Sequence, residues 1–291
     1  MAADWQEKYA KPAILRYSHS MKVPPVVLSI AGYDPSSGAG ITADVKTAAA
    51  NRCYAVTCIT ALTVQSSQGV FEVKPLDTDY VRRALKALAE DLDIAAVRVG
   101  MLGSAAVASA VASALMTLEL PNIVVDPVLN SSSGAALLDD AGLQVLREEL
   151  LPLADVVTPN VDEAAMLAGI EAAPVQAPWE EILPWLRTAA GKLRNLGSRA
   201  VVITGGHLPT ANDYLSYVEN GVPREEIFPG RHIEASSTHG TGCAFATSIA
   251  CQLALGQEMP QAVRAAKQYV TRAVEAAYPL GKGVGPINHM V

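Results

Sequence analysis

The sequence predicts an α/β fold with a mostly parallel central sheet and helices on both faces. Apolar runs rich in β-branched residues alternate with segments of helical spacing, and the connections between them are short. Strands that alternate with helices form βαβ units, in which the strands run parallel and are covered on both sides. We therefore expect a single domain over residues 23–291, preceded by an N-terminal extension over residues 1–22.

The first half of the chain supplies the first strands and helices. The run VVLSIA is apolar enough for a buried strand, and a Gly/Pro/Ser loop separates it from a helical stretch. Val81, Leu85 and Leu88 then share one face of a helix, and an alanine-rich segment forms the next helix. These patterns predict strands at 26–31, 54–61, 69–74 and 96–100, and helices at 41–50, 77–91 and 104–117.

The second half repeats the alternation and ends in helices. Short apolar runs predict strands at 122–126, 154–158 and 200–205, and an antiparallel edge at 213–218 and 224–233. Helical spacing predicts helices at 139–150, 161–168, 182–196, 243–255 and 260–277. In such sheets, ligands bind beyond the carboxyl ends of the parallel strands, so the loops at those ends are the expected site.

Composition argues against several classes of protein. The net charge of −7 is unlike that of a nucleic-acid binder, which usually carries a basic stripe. No stretch reaches the roughly 18 apolar residues that a membrane helix needs. The four cysteines form no C-x-x-C pair, and the first residues lack the apolar core of a secretory signal. We therefore expect reduced thiols and a cytoplasmic location, without nucleic-acid or membrane partners.

A Ser-Thr-His-Gly-Thr-Gly-Cys motif at residues 237–243 precedes a predicted helix. A Gly-x-Gly turn at a helix start exposes backbone amides and the positive end of the helix dipole, which together bind anions. Cys243 falls in the first helical turn, where the same field favours the thiolate. An ordinary glycine-rich loop with a buried cysteine explains the motif equally well. The sequence contains neither a Walker A motif nor a G-x-G-x-x-G after its first strand.

Residues 238–243 closely resemble the anion-hole signature of hydroxymethylpyrimidine and phosphomethylpyrimidine kinases, which have the ribokinase-like fold. The resemblance implies that Cys243 is the catalytic base for the hydroxymethyl group of the substrate. It also implies that the amides of Gly240, Thr241 and Gly242 bind the phosphoryl group during its transfer. Further matches extend from residue 26 to residue 289, in the family's order.

The substrate-binding residues follow from three of these matches. Residues 31–47, AGYDPSSGAGITADVKT, are similar to the family's AGxDPSGGAGIxADLKT and place Gly32, Ala39 and Asp44 near the pyrimidine. Residues 60–65 resemble the strand whose glutamine, here Gln65, binds the pyrimidine edge. A Gly-Met-Leu match implies that Met101 packs on the ring. By itself, Asp44 is more simply a complement to the helix dipole, and Met101 is more often a core residue.

Two further matches concern the metal and the phosphates. Asp126 at a strand end and the N-x-x-E element formed by Asn160 and Glu163 resemble the residues that organise magnesium in this superfamily. An Asn three residues before a Glu is also close to a capping box, which competes with the metal interpretation. Thr204 stands where the family usually has a lysine, so the phosphate contact of that lysine is not transferred to this chain.

The resemblance implies an ATP- and Mg²⁺-dependent kinase for hydroxymethylpyrimidine or its monophosphate in thiamine biosynthesis. A pyridoxal kinase of the same fold is the nearest alternative. A pyrimidine sensor without activity and a Cys243–His239 thiol hydrolase are further alternatives from other classes. Relatives' dimers also imply a homodimer, paired along the edge at residues 224–233.

Overall fold

The computed structural model describes residues 23–131 and 134–291. In these residues the strands form one mixed sheet of nine strands in the order β3-β2-β1-β4-β5-β6-β7-β8-β9. Their bounds are β1 Val26–Tyr33, β2 Tyr54–Ser66, β3 Gly69–Pro75, β4 Ile94–Val99, β5 Ile123–Val125, β6 Val156–Val157, β7 Ala200–Ile203, β8 Asp213–Glu219 and β9 Val222–Phe228.

The described helices connect these strands and close the chain. Their bounds are α1 Gly40–Ala50, α2 Thr78–Asp91, α3 Ala105–Leu118, α4 Asp140–Val145, α5 Val161–Ala168, α6 Trp179–Asn195, α7 Thr241–Ala254 and α8 Met259–Glu275. Side-chain caps fix several starts, as where Asp77 accepts a hydrogen bond from the Tyr80 amide. None of the described helices is both long and apolar enough to cross a membrane.

The centre of the sheet is parallel and its margins are antiparallel. β2, β1, β4, β5, β6 and β7 pair in parallel, whereas β3 at one end and β8 and β9 at the other pair antiparallel. The central strands are mostly apolar, with Ser29 in β1 and Arg98 in β4 as buried polar exceptions, because both faces of the sheet are covered. This arrangement confirms the predicted fold class.

Two hydrophobic cores lie on opposite faces of the sheet. One contains Leu85 of α2, Val111 of α3 and Leu186 of α6, together with Val97 of β4. The other packs α1, α7 and α8 against the same sheet, with Phe245 at its centre. The helices of the second core include α7, so the anion motif at its start is fixed to the sheet by apolar burial.

Three predicted ends lie about five residues from their observed positions, and the other predicted ends lie within about three residues. The helix expected at 139–150 is α-helical only to Val145, because a π-helical turn over Leu146–Leu150 and a 3-10 turn follow. The strand expected at 224–233 is shifted toward the hairpin turn and ends at Phe228, just before a proline. β2 continues to Ser66, five residues beyond its predicted end. The predicted extension lies outside the described residues, and the single domain and the homodimer stay predictions.

Candidate active site

Asp34 organises the loop between β1 and α1. Its Oδ1 accepts a hydrogen bond from the Ser36 amide at 2.7 Å, and its Oδ2 accepts from the amides of Gly38 and Ala39 at 3.2 and 2.9 Å. Ala39 is the N-cap residue of α1, without a side-chain cap bond of its own. The carboxylate therefore orders the backbone that the sequence predicts to lie against the substrate.

The predicted anion turn leads into α7 without a side-chain cap. Gly240 is the N-cap residue at φ +89°, a left-handed conformation that favours glycine, and Thr241 begins the helix. A Cβ on Gly242 would meet no atom within 4 Å. The first-turn amides of a helix have no intrahelical partners. The turn thus presents backbone donors beside open space, as an anion site requires.

The two glycine-rich loops pack against each other through their backbones. A Cβ on Gly240 would lie 1.9 Å from the carbonyl oxygen of Gly38, and one on Gly40 would lie 2.3 Å from that of Gly32. Real side chains do not reach such distances, so the glycines allow this close approach. Gly32 and the anion turn are therefore parts of one assembly, although more than 200 residues separate them in the sequence.

His239 connects this assembly to β2. Its Nε2 lies 3.0 Å from Asp34 Oδ2 and 3.3 Å from the Gln65 side-chain amide nitrogen. Gln65 Oε1 also accepts a hydrogen bond from the Thr63 hydroxyl at 3.2 Å. The Asp34–His239 contact is absent from the motif-based prediction, although an Asp ahead of a Pro-Ser-Ser turn indicates a loop-organising carboxylate.

A cleft of about 340 Å³ opens beside Gln65 and His239. The remaining residues that line it come from the β1–α1 loop, the β2–β3 turn and the C-terminal segment; they are Pro35, Ser36, Ser66, Ser67, Leu280, Gly281, Val284 and Pro286. The C-terminal segment is held in place because the His239 amide donates to the Gly285 carbonyl at 3.0 Å. This contact gives the matched Gly-x-Gly-Pro segment a location beside the anion turn.

Met101 lies directly under the β1 end of this assembly. Met101 is 9% exposed, and a Cβ on Gly32 would lie 2.8 Å from the Met101 sulfur. Met101 also belongs to a small apolar cluster with Ala61 and Leu137. The structure therefore brings Met101 and Gly32 together as predicted by the family match, while most of the methionine side chain packs as core.

Asp44 occupies a different position from the one that the resemblance implies. The residue is fully buried, and its carboxylate oxygens have three protein partners. Ser29 and Thr247 hydroxyls donate to it at 2.6 and 2.7 Å, and Arg98 Nη1 lies 3.1 Å from Oδ2. Asp44 thus does not line the cleft, and we assign it no contact with substrate.

Arg98 is a central residue that the motif-based prediction missed. It is fully buried on β4, and its Nη2 lies 2.5 Å from Asp126 Oδ2 at the end of β5. Its other partner, Asp44, accepts a hydrogen bond from Thr247 on α7, the helix that carries Cys243. The available signal was a single cation within an apolar strand, since a buried charge requires partners.

The expectation that the helix field makes Cys243 a thiolate is wrong. Burial raises the pKa of the Cys243 thiol to about 11. The Arg98 cation opposes this rise in pKa, whereas the carboxylates of Asp126 and Asp44 add to it. The raised pKa therefore favours the protonated thiol at neutral pH.

Asn160 and Glu163 form a complete capping box at the start of α5. Asn160 Oδ1 accepts from the Glu163 amide at 2.9 Å, and Glu163 Oε2 accepts from the Asn160 amide at 3.0 Å. Glu163 Oε1 accepts from the Leu129 amide at 3.3 Å. Burial, with the nearby Asp126 charge, raises the pKa of Glu163 to about 8. The capping interpretation is thus correct, and it also fixes both side chains beside Asp126.

The residues at this edge suit Mg²⁺ in charge and donor type. Two buried carboxylates, Asp44 and Asp126, share the single cation of Arg98, which leaves one excess negative charge. The buried Thr158 hydroxyl has no hydrogen-bond partner in the described residues, so a polar ligand would complete this edge. Among the described residues 23–131 and 134–291, no group of three His, Cys, Asp or Glu side chains could hold a metal ion by itself. Mg²⁺ commonly uses one or two carboxylates, with phosphates and water as its other ligands.

Thr204 lies next to the capping box. Its amide donates to the Pro159 carbonyl at 2.9 Å, and the residue forms a parallel bridge with Asn160. The position usually taken by the family lysine therefore adjoins the N-x-x-E element, although a threonine carries no charge there.

Comparisons with known proteins are consistent with this arrangement. The family model described as phosphomethylpyrimidine kinase matches residues 34–288. A Streptomyces coelicolor relative, named hydroxymethylpyrimidine/phosphomethylpyrimidine kinase, is 42% identical over 91% of this chain and 94% of the relative. An ADP complex of Bacillus subtilis pyridoxal kinase matches with a TM-score of 0.79 and 34% identity, covering 91% of this chain and 97% of that one. The phosphomethylpyrimidine kinase of Clostridium difficile 630 matches with a TM-score of 0.73 and 33% identity, covering 86% and 99%.

Proposed function

Because the chain belongs to the phosphomethylpyrimidine kinase family, we propose that it transfers the γ-phosphoryl group of ATP to hydroxymethylpyrimidine, its monophosphate or both. This activity would place it in thiamine biosynthesis. One observation carries the proposal: the turn at Gly240–Gly242 is connected to Gln65 through His239, and the helix that it begins is connected to Asp126 through Asp44 and Arg98. The residues proposed for the acceptor, the phosphate and the metal therefore lie at one edge of the sheet. Phosphoryl transfer needs such an alignment, together with neutralisation of charge.

The acceptor is proposed to bind in the cleft beside Gln65. The Gln65 side chain both donates and accepts hydrogen bonds, which suits the edge of an aminopyrimidine. Gly40 packs closely on the Gly32 carbonyl, and Met101 lies against Gly32, so we propose that a flat ring lies against this loop near Ala39 and Met101. His239 holds Gln65 and the anion turn together, so the acceptor side and the phosphate side share one fixed frame.

The phosphoryl group is proposed to lie at the start of α7. The amides of Gly240, Thr241 and Gly242 would donate to its oxygens, and the helix dipole adds a favourable field. Asp126 would hold Mg²⁺, and Asn160 and Glu163, fixed at the start of α5 by their capping box, would support it. When bound, Mg²⁺ neutralises charge on the ATP phosphates.

Cys243 is proposed to take the proton from the acceptor hydroxyl. Since the pKa of its thiol is about 11, the thiolate fraction rises about tenfold per pH unit at neutral pH. We expect kcat to increase between pH 7 and pH 10. Cys243→Ala should lower kcat by about 10²–10⁴-fold while ATP still binds. Cys243→Asp should make kcat less dependent on pH, because a carboxylate is already ionised at pH 7. Near wild-type turnover of Cys243→Ala would contradict the role of Cys243 as the base.

Mass spectrometry of the products tests the function itself. Hydroxymethylpyrimidine, ATP and magnesium are incubated with the full chain, and the mono- and diphosphate are measured. Absence of both products would refute the proposal, and a non-enzymatic pyrimidine sensor would give that result. Pyridoxal is the second candidate acceptor, because the Bacillus subtilis pyridoxal kinase matches over 91% of this chain. Turnover of both acceptors, measured side by side, ranks them.

A further inference from the structure

Arg98 is a charged residue inside the sheet. It stands in β4 among Ala and Val residues, and its side chain has no exposed surface. Removing a charge from water costs several kcal/mol unless partners compensate for the lost hydration. A leucine or valine would fill a strand position of this kind without that cost, so the presence of arginine indicates a specific task.

The guanidinium connects three elements that carry predicted site residues. Nη1 lies 3.1 Å from Asp44 on α1, and Nη2 lies 2.5 Å from Asp126 after β5. Asp44 in turn accepts a hydrogen bond from Thr247 on α7, the helix that carries Cys243 in its first turn. Arg98 therefore links α1 and the end of β5 directly, and α7 through Asp44.

The surroundings of Arg98 are built to hold the guanidinium in one orientation. A Cβ on Gly100 would lie 1.9 Å from Nη1, so the glycine of the Gly-Met-Leu motif leaves the space that the arginine head occupies. Asp44 is itself fixed by hydroxyl donors from Ser29 at 2.6 Å and Thr247 at 2.7 Å. The carboxylate of Asp44, which does not line the cleft, thus anchors Arg98.

We propose that Arg98 is a positioning residue that holds Cys243 and Asp126 in their working arrangement, and that Asp44 acts through Arg98 rather than on the substrate. The proposal rests on the kinase function proposed above. The planar guanidinium can donate to two carboxylates at once, which the ammonium of a lysine cannot do with the same geometry. Arg98→Lys therefore keeps the charge and removes the bridge.

Steady-state kinetics of Arg98→Lys and Asp44→Asn test the proposal. Both variants should lower kcat by tenfold or more, and the acceptor KM should stay within about threefold of wild type, because no ligand contact is removed. An increase in acceptor KM at unchanged kcat for Asp44→Asn would show that Asp44 binds substrate, and it would overturn the proposal. Unchanged kcat in both variants would overturn it as well.

A matched control separates positioning from general loss of stability. Leu85 is fully buried on α2, in the core on the opposite face of the sheet from α7. Leu85→Ala should lower Tm at least as much as Arg98→Lys and leave kcat nearly unchanged. If Leu85→Ala lowers kcat as much as Arg98→Lys at equal Tm, the effect is only structural and the proposal fails.

Alkylation of Cys243 provides a readout that needs no turnover. Cys243 is partly exposed, whereas Cys53, Cys58 and Cys251 are buried, so iodoacetamide should modify Cys243 first in the folded protein. We expect Arg98→Lys to change the alkylation rate several-fold at fixed pH, and Leu85→Ala to leave the rate unchanged. An unchanged rate in Arg98→Lys would overturn the link to Cys243. If the wild type forms no phosphorylated product, the kinase proposal fails while this measurement still tests the cluster.

Discussion

Gly242 offers a direct test of the anion turn, because alanine fits there without strain. The residue lies in the first turn of α7, outside the positive-φ region, and a Cβ would meet no atom within 4 Å. At a compatible position, Gly→Ala stabilises a protein by about 0.4–1 kcal/mol, chiefly by restricting the unfolded chain. The unfolding entropy of a chain of this size is about 0.6 kcal/mol/K, so Tm should rise by roughly 1–2 °C.

The same methyl group should impair turnover. It would project into the space beside the turn, where we propose that the phosphoryl group is transferred. Alanine keeps the backbone amide, so its effect is to displace the phosphoryl oxygens from that donor; losing one such contact costs about 2.7–4 kcal/mol, or about 10²–10³-fold in kcat. Gly242→Ala should therefore raise stability and lower activity, a combination that a misfolded variant cannot show.

Two other glycines provide the controls for this experiment. Gly191 in α6 also has no atom within 4 Å of a Cβ, so Gly191→Ala should raise Tm similarly at wild-type kcat. Gly240 has φ +89° and a Cβ clash at 1.9 Å with Gly38, so Gly240→Ala should lower both Tm and kcat. Thermal unfolding and product formation are measured for all three variants. Wild-type kcat in Gly242→Ala would refute the idea that these amides face the transferred group.

Two further predictions concern the C-terminal segment. Burial lowers the pKa of His289 to about 4, so only the unfolded chain takes up this proton between pH 6.5 and pH 4, and stability is lost as the pH falls through that range. His289→Gln should reduce the dependence of the unfolding free energy on pH by up to about 1.4 kcal/mol per pH unit, measured by urea unfolding. An unchanged dependence would contradict this, and His207→Gln at an exposed histidine is the control. A Cβ on Gly283 would lie 2.0 Å from the Ser67 carbonyl oxygen. Gly283→Ala should displace the β2–β3 turn and raise the acceptor KM about tenfold, equivalent to roughly 1–2 kcal/mol; an unchanged KM would show that this turn does not shape the cleft.

The sequence predicted the fold well because its signals are local. Apolar β-branched runs and helical spacing identify each strand and helix from neighbouring residues alone. Predictions were wrong where geometry depends on packing, as in the π-helical turn over Leu146–Leu150, which begins without any glycine or proline signal. The antiparallel margin was recognised, but its outer strand ends before Pro229, earlier than expected.

The candidate site was predicted only as far as contiguous motifs reach. Loops and strand ends were identified because each lies within a short matched segment. The links between them were missed, since Arg98 meets Asp44 across 54 residues and His239 meets Asp34 across 205 residues. Such pairs have no local signature, and only the sheet topology brings them together.

Desolvation decides the protonation of Cys243 and also explains why the buried Asp44 needs its protein partners. A helix terminus favours an anion by about 0.3–1 kcal/mol when exposed, and by up to about 2 kcal/mol when partly buried. A rise in the pKa of Cys243 from 9.0 to about 11 corresponds to roughly 3 kcal/mol in the opposite direction. Desolvation and the carboxylates of Asp44 and Asp126 therefore outweigh the helix field and the Arg98 cation together. The pKa of the proposed base is therefore set by burial and by the charges of Arg98, Asp126 and Asp44. The same buried surroundings favour the ion pair between Asp44 and Arg98.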